Sequence, residues 1–422
     1  MLILGLALSV LLLVFGYPIW MAFLVFSLLL LSGLPPEVLA IRLFNSLDVD
    51  ALLAVPGYVF AAEIMVRSGM AQRLIDWVAN FFGRVPGGMP ITTIAGAEAF
   101  GAISGSSTAT IAALGKVMYP ALRQDRYGDD FSLGLVTSMG AIALIIPPSI
   151  TMILYGALAP ASVGKLFLAG IIPGILIGLV VAAYAVWYAL KHDVRSHARG
   201  LSWSAIGRST KAAAWTLGAP LIIFGGIYTG FSTPTEASVV LSVYAVVIAM
   251  LVHRDLDLSG LWQATLESAL LTAKIFIIVA AASAFSVVLV LENIPQALVD
   301  IVLTLELSPV TILLTVNLVL LVVGMFMDPN SALVVFVPLL VPLATAAGID
   351  VIHLGIIVTV NLAIGMFTPP FGINLFVSSS IFNAPMTRVI WGCVPFIFLY
   401  LGALGAITYI PQLSLWLPSF WQ

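Results

Sequence analysis

Charge is what this sequence lacks. Only 8% of its 422 residues are Asp, Glu, Lys or Arg, against about 25% in soluble proteins. Sixteen cations and nineteen acids cannot cover a folded chain of this length in water, which excludes a water-soluble enzyme. The formal net charge of −3 leaves no basic patch for phosphate backbones, so the chain is not built for nucleic acid. Cysteine is scarcer still. Cys393 stands alone, which excludes a disulfide framework and a multi-thiolate metal cage. His192, His197, His253 and His353 show no ligand spacing. There is no H-E-x-x-H, no pair of catalytic aspartates and no Ser/His constellation, so an intramembrane enzyme is disfavoured. What the chain has is apolar residues, 61% of it, and these imply an integral membrane protein with many spans.

A hydrocarbon core of about 30 Å takes about 20 apolar residues of helix. Divided at Pro/Gly and charge clusters, the apolar runs give candidate spans at 1–16, 18–33, 51–70, 132–158, 165–190, 212–231, 234–252, 270–290, 351–383 and 389–411. The N-terminal run lacks a basic region and reads as a span, not a signal peptide. Two further stretches, 90–119 and 310–346, are broken by the polar clusters Ser104-Gly105-Ser106-Ser107-Thr108 and Asp328-Pro329-Asn330-Ser331. They read as re-entrant hairpins, tolerated where protein or a watery cavity satisfies the tip. Lys191, Arg195, Arg199, Arg208 and Lys211 cluster in one loop, which the positive-inside rule makes cytoplasmic. Threading outward puts Arg67, Arg73, Arg84, Lys116, Arg123, Arg126, Arg254, Lys274 and Arg388 inside as well. Only Arg42 and Lys165 fall outside, and both termini end outside.

The chain is expected to contain an internal repeat. Pro147-Pro148 and Pro369-Pro370, Gly170/Pro173 and Gly392/Pro395, and Pro120 and Pro342 pair at one common offset, which brings Ser106 onto Asp328. Residues 1–190 and 212–422 each hold five spans and one hairpin, joined by a polar linker at 191–211. An odd number of spans inverts the second half. Inverted repeats with paired broken elements are the signature of secondary transporters, with the site at the repeat interface. Segments 71–83 and 295–306 also match and are amphipathic, reading as helices in the membrane interface or as ordinary connectors.

Two acids fall inside the hairpins, Glu98 and Asp328, with no Lys or Arg beside them. Intramembrane carboxylates are costly and mark function by default. Asp328 before Pro329 suits a helix N-cap, and the same oxygens suit a hard cation such as Na⁺. Glu98, ahead of the first tip, reads as facing a lumen or a helix end. The hydroxyls from Ser104 to Thr110 offer oxygen ligands around the turn that Gly105 permits. The double prolines should unwind the spans around Gly140–Pro148 and Asn361–Pro370. That would free carbonyls opposite each tip and make two symmetry-related ion sites.

G-A-I-S-G-S-S-T-A-T at 101–110, I-P-P-S-I-T-M-I-L-Y-G at 146–156, M-D-P-N-S-A at 327–332 and F-T-P-P-F-G-I-N at 367–374 closely resemble the large membrane subunit of TRAP (tripartite ATP-independent periplasmic) transporters. The resemblance covers essentially the whole chain. It implies an all-α polytopic fold of the ion-transporter superfamily, an elevator with scaffold and transport domains, in the bacterial inner membrane. It also implies Na⁺-driven uptake of an organic acid anion (a C4-dicarboxylate, sugar acid, keto acid or sialic acid) handed over by a periplasmic substrate-binding protein. A small four-helix membrane subunit is expected as a separate chain. Carried over by position, Ser104, Ser106 and Ser107 with Gly140 and Pro147 form one Na⁺ site, and Asp328, Asn330 and Ser331 with Gly365 and Thr368 the other. Ser107, Thr108, Pro148, Ser149 and Pro370 surround the substrate. The alternatives are a binding-protein-independent Na⁺/anion symporter of the same superfamily and an ion-conducting pore.

Overall fold

The computed structural model describes residues 2–31, 35–82, 87–194 and 203–421, and among them all regular structure is helical. The chain opens with α1 (Leu2–Val14), α2 (Ile19–Leu30), α3 (Pro36–Asn45) and, after a 3₁₀ turn, α4 (Ala54–Arg67) and α5 (Met70–Phe82). The first hairpin is α6 (Gly88–Ser104) and α7 (Ser107–Gln124). A broken helix follows as α8 (Asp129–Gly140) and α9 (Ile150–Leu158), then α10 (Val163–Lys191). Beyond it come α11 (Trp203–Tyr228), α12 (Pro234–Val247), α13 (Leu258–Leu291) and α14 (Ile294–Thr304). The second hairpin is α15 (Pro309–Gly324) and α16 (Pro329–Ala346), and the second broken helix α17 (Val351–Gly365) and α18 (Ile373–Phe382). The chain closes with α19 (Met386–Tyr409) and α20 (Gln412–Leu415).

The helix pairs turn at both polar tips and both helices break at the double prolines, though α17 stays helical through Gly365, past the expected start of unwinding at Asn361. The order hairpin, broken helix, long helix occurs twice. The starts of these helices are fixed by local chemistry. Ser106 caps α7, Ser149 α9, Asp257 α13, Ser308 α15, Asp328 α16 and Asp350 α17, each side chain accepting a backbone N–H of the first turn. Each such cap satisfies a donor that a helix start otherwise leaves unpaired.

Several expected boundaries move. The spans expected at 1–16 and 18–33 are helices of 13 and 12 residues, because the Gly16-Tyr17-Pro18 turn ends one and Pro18 opens the next. Six helices among the described residues are long and apolar enough to cross a membrane: α10, α11 from Ile206, α12 with its π-turn, α13, α16 and α19. The linker shrinks, since α10 runs to Lys191 and α11 begins at Trp203. Residues 195–202, with Arg195 and Arg199, lie outside the described residues, as do Arg84 and positions 32–33. The start of α13 reaches back to Leu258, well before the expected 270, because Asp257 Oδ1 accepts from Gly260 N at 2.7 Å. α3 lies between expected spans and was not foreseen.

The two amphipathic segments differ. Leu74, Ile75 and Val78 of α5 are buried against α6 and α11, so this helix is packed into the protein. α14 leans on α16 and leaves Ile301 and Leu303 exposed. Charges cluster at helix ends. Arg67 pairs with Glu63 and with Glu267 of α13, Arg73 with Asp255, and Arg388 with Asp129. Two groups of helices result. α2, α3, α4 and α12 pack around α13 or one another, while the hairpins and broken helices pack with α10 and α19. Glycine allows the tightest contacts in the second group. A side-chain carbon on Gly134 of α8 would overlap the Gly392 carbonyl of α19, and one on Gly365 of α17 would overlap the backbone of Gly324 on α15.

Candidate functional site

The two hairpin tips meet at one cavity of about 180 Å³. Gly105, Ser106, Ser107 and Thr108 reach it from the first tip, Asp328, Pro329 and Asn330 from the second. Ile150 and Thr151 bring the start of α9 to its wall, and Ile373 the start of α18. Four helix N-termini (α7, α9, α16 and α18) therefore converge on one small space. Each carries a partial positive charge that favours an anion. The caps of α7 and α9 take up one first-turn N–H each, whereas at α16 Pro329 has no N–H and Asp328 already takes those of Asn330 and Ser331. Leu144 and Met366, at the carbonyl ends of the preceding segments, line it too, and carbonyl ends attract cations. Leu271 and Ile275 of α13 close the remaining side.

The first tip is tied together internally. Gly105 turns the chain at φ +55°, with the Pro148 carbonyl 2.8 Å from where a Cβ would sit. A larger residue there would be strained and would also collide with the break in the facing helix. Ser106 Oγ accepts from Ala109 N at 3.4 Å, and Ser104 Oγ lies 3.1 Å from Thr110 Oγ1. Ser107 Oγ bonds Asn374, donating to Oδ1 at 3.0 Å and lying 2.8 Å from Nδ2. Asn374 Nδ2 also reaches the Thr137 carbonyl at 3.3 Å. Asn374 is thus a clasp between α18, the first tip and α8. It belongs to the 367–374 motif, but only the fold reveals the role.

At the second tip, Asp328 Oδ1 accepts from Asn330 N and Ser331 N at 3.1 Å each, and the Ser331 hydroxyl donates to Oδ2. Capping therefore fills Oδ1, which accepts two bonds, and leaves lone-pair capacity on Oδ2.

The remaining expected residues lie around the cavity, not on its wall. Ser104 is buried behind the tip. Gly140 lies against Ile111 and the Ser107 carbonyl. The Pro147-Pro148 and Pro369-Pro370 bonds are both cis. Ser149 spends its hydroxyl on the Leu144 carbonyl at 2.6 Å. Thr368 Oγ1 donates to the Ile364 carbonyl at 2.7 Å, and Asn374 N to Met366 O at 2.8 Å. Side chains and backbone of the breaks thus already use several of the carbonyls that unwinding frees. Pro370 is exposed and is not on the cavity wall.

Two residues on cavity walls carried no signal of that role in the sequence. Thr151 is buried on the tip cavity, and its hydroxyl has no partner among the described residues. Arg42 lines a separate cavity of about 580 Å³ between α3, α9, α13 and α16, together with Asn45, Ser46, Ser283 and Ser286.

Asn374→Leu should strand the buried Ser107 hydroxyl. An unsatisfied buried group costs about 1–3 kcal/mol, read as a lowered unfolding midpoint in detergent. The Ser107→Ala/Asn374→Leu pair should cost less than the sum of the single changes. Strict additivity would show that the clasp does not form.

A many-span helical protein with two hairpin tips meeting over one cavity belongs to the class of multi-pass membrane transporters. The chain matches the family described as "Tripartite ATP-independent periplasmic transporter, DctM component" over residues 6–413, and it belongs to that family. It is 41% identical to the C4-dicarboxylate TRAP transporter large permease protein DctM of Pseudomonas aeruginosa, over 93% of this chain and 92% of that one. It is 37% identical to the ectoine/5-hydroxyectoine large permease protein UehC of Ruegeria pomeroyi, over 97% and 96%. The sialic acid large permease protein SiaM of Vibrio cholerae shares 32% identity over 90% and 88%. These relatives are permeases, not enzymes. The YdaH transporter of Alcanivorax borkumensis superposes with a TM-score of 0.60 over 90% of this chain and 89% of that one, at 12% identity. It shares the fold.

Proposed function

We propose that this chain is the permease of a three-component system that takes up a small organic acid anion with Na⁺ across the bacterial inner membrane. The observation that carries this is the convergence of four helix N-termini on one cavity that, among the described residues, holds a carboxylate but no cationic side chain. N-terminal dipoles and hydroxyls attract an anion without an arginine that would hold it too tightly to release. Asp328, Asn330 and Ser331 with the Gly365–Thr368 break, and Ser104, Ser106 and Ser107 with the Gly140–Pro147 break, supply oxygen for two Na⁺ ions. The substrate sits between the tips, at Ser107, Thr108 and the start of α9. C4-dicarboxylate, sialic acid and ectoine carriers among the relatives support a small polar substrate of this kind.

In this reading residues 1–190 and 212–422 are inverted repeats, and both termini are periplasmic. The hairpins, broken helices, α10 and α19 slide as one block past the α2–α4–α12–α13 scaffold. A periplasmic binding protein delivers the anion, and a small membrane subunit steadies the scaffold. Na⁺ at the tips raises anion affinity, and the anion raises Na⁺ affinity by the same factor. Uptake into proteoliposomes with binding protein and small subunit present should collapse when Na⁺ is replaced by K⁺ at constant pH. Undiminished uptake in K⁺ would sink the Na⁺ coupling. Uptake that survives omission of the binding protein would instead favour a stand-alone symporter.

A further inference from the structure

Glu98 takes no part in the site above. It lies on α6, half-buried, and its carboxyl fills a notch left by a glycine. A side-chain carbon on Gly178 of α10 would overlap Glu98 Oε1, with Ile94 at 3.4 Å on the same side. Among the described residues it has neither a hydrogen-bond donor nor a cationic partner. Among the described residues the ion pairs lie at Arg67, Arg73, Arg123 and Arg388, and none includes Glu98. The titratable group within its field is the Tyr400 hydroxyl of α19, which is committed to the Ser138 carbonyl at 2.9 Å. From α10 the neighbour is Gly178 itself. The other elements packed on α6, namely α4, α5, α7, α8, the apolar 3₁₀ turn Ala141–Leu144 and α11, bring it no ion pair among the described residues. No cluster of three His, Cys, Asp or Glu forms a metal site among the described residues.

An ionised carboxylate held in hydrocarbon without a partner is among the costliest arrangements a protein can keep, whereas the neutral acid costs far less. We propose that Glu98 is a proton-binding site of the hairpin block, separate from the tip cavity. It takes up one proton from water on one side, crosses as the neutral acid beside Gly178, and returns the proton to water on the other side. No bond other than O–H forms or breaks. The crossing rests on the sliding block proposed above, whereas the binding of the proton does not.

Two measurements on the assembled permease separate these. Infrared difference spectra between high and low pH should show a protonated-carboxyl C=O band that disappears in Glu98→Gln and persists at a shifted pH in Glu98→Asp. The aspartate variant keeps the test alive should the glutamine variant fail to fold. The same band in wild type and Glu98→Gln overturns the site. In proteoliposomes at fixed Na⁺ gradient, wild-type uptake should change several-fold with the pH gradient, and Glu98→Gln should transport with a flat pH profile. Superimposable pH profiles overturn the carrying of the proton even where the band is found. Failure of Na⁺-driven uptake in both proteins, with the band still titrating, falls on the transport reading and leaves the proton site standing.

Discussion

Asp328→Ala is expected to leave a folded permease whose demand for Na⁺ rises roughly 10- to 100-fold. The folding cost is bounded by the cap. Two backbone N–H groups at 3.1 Å and the Ser331 hydroxyl lose their acceptor, and an N-cap deletion costs about 0.5–2 kcal/mol. The functional cost is separate. Asp328 is the one carboxylate on the wall of the tip cavity, and removing a charged ligand forfeits about 1.5–3 kcal/mol. Asp328→Asn distinguishes the two roles, because an amide oxygen can still cap but brings no charge. A Na⁺ titration of uptake should therefore place Asn near Ala, whereas thermal unfolding should place Asn near wild type. If the Na⁺ titrations of all three coincide, Asp328 is a cap and nothing more.

Gly365→Leu should prevent the protein from accumulating in folded form. Gly365 ends α17 just before the break, and a Cβ there would overlap the backbone of Gly324, the last residue of α15 before the second tip. No side chain on the Gly324 side can swing aside, so α15 and α17 would have to separate. Overpacking where neighbours can give already costs about 1–3 kcal/mol, and a backbone-to-backbone clash sits above that range. The matched control is Gly402→Ala on α19, where no atom lies within 4 Å of the added carbon. Helix propensity alone makes that change neutral or stabilising by up to about 1 kcal/mol. Size-exclusion profiles of the two variants in detergent decide the matter. A monodisperse Gly365→Leu protein would show that the hairpin arm α15 and the broken helix α17 are not held in this contact.

The parts of the fold that depend on local chemistry were legible in the sequence. Paired prolines cannot continue a helix, so the breaks before Ser149 and Ile373 follow from Pro147-Pro148 and Pro369-Pro370 alone. Ser106 and Asp328 announce themselves as caps because a side-chain acceptor next to a helix start has few other uses. What depends on which faces meet was not legible. Arg67 and Glu267 pair at 2.7 Å across two distant helices, and the polar face carrying Glu267 made the first turns of α13 look like loop. Nothing local marks Asn374 as the clasp on Ser107, or brings the starts of α9 and α18 beside the tips. Gly178 resembles any small residue of a membrane helix until α6 sets Glu98 against it.

The face of α13 turned toward the hairpins runs past both cavities. Leu271 and Ile275 close the tip cavity, and Val279, Ser283, Ser286 and Val290 continue the same stripe along the larger one. At 1.5 Å per residue the stripe is about 28 Å long. Ala282, Ser283 and Ser286 make its middle small, whereas Leu271, Ile275 and Val279 precede them and Val287, Val290 and Leu291 follow. In the sliding mechanism proposed above, the moving block would meet a stripe that is bulky at both ends and smooth between them. On that proposal the stroke would be limited to about one bilayer core, and the block would pass most easily where Ala282, Ser283 and Ser286 lie.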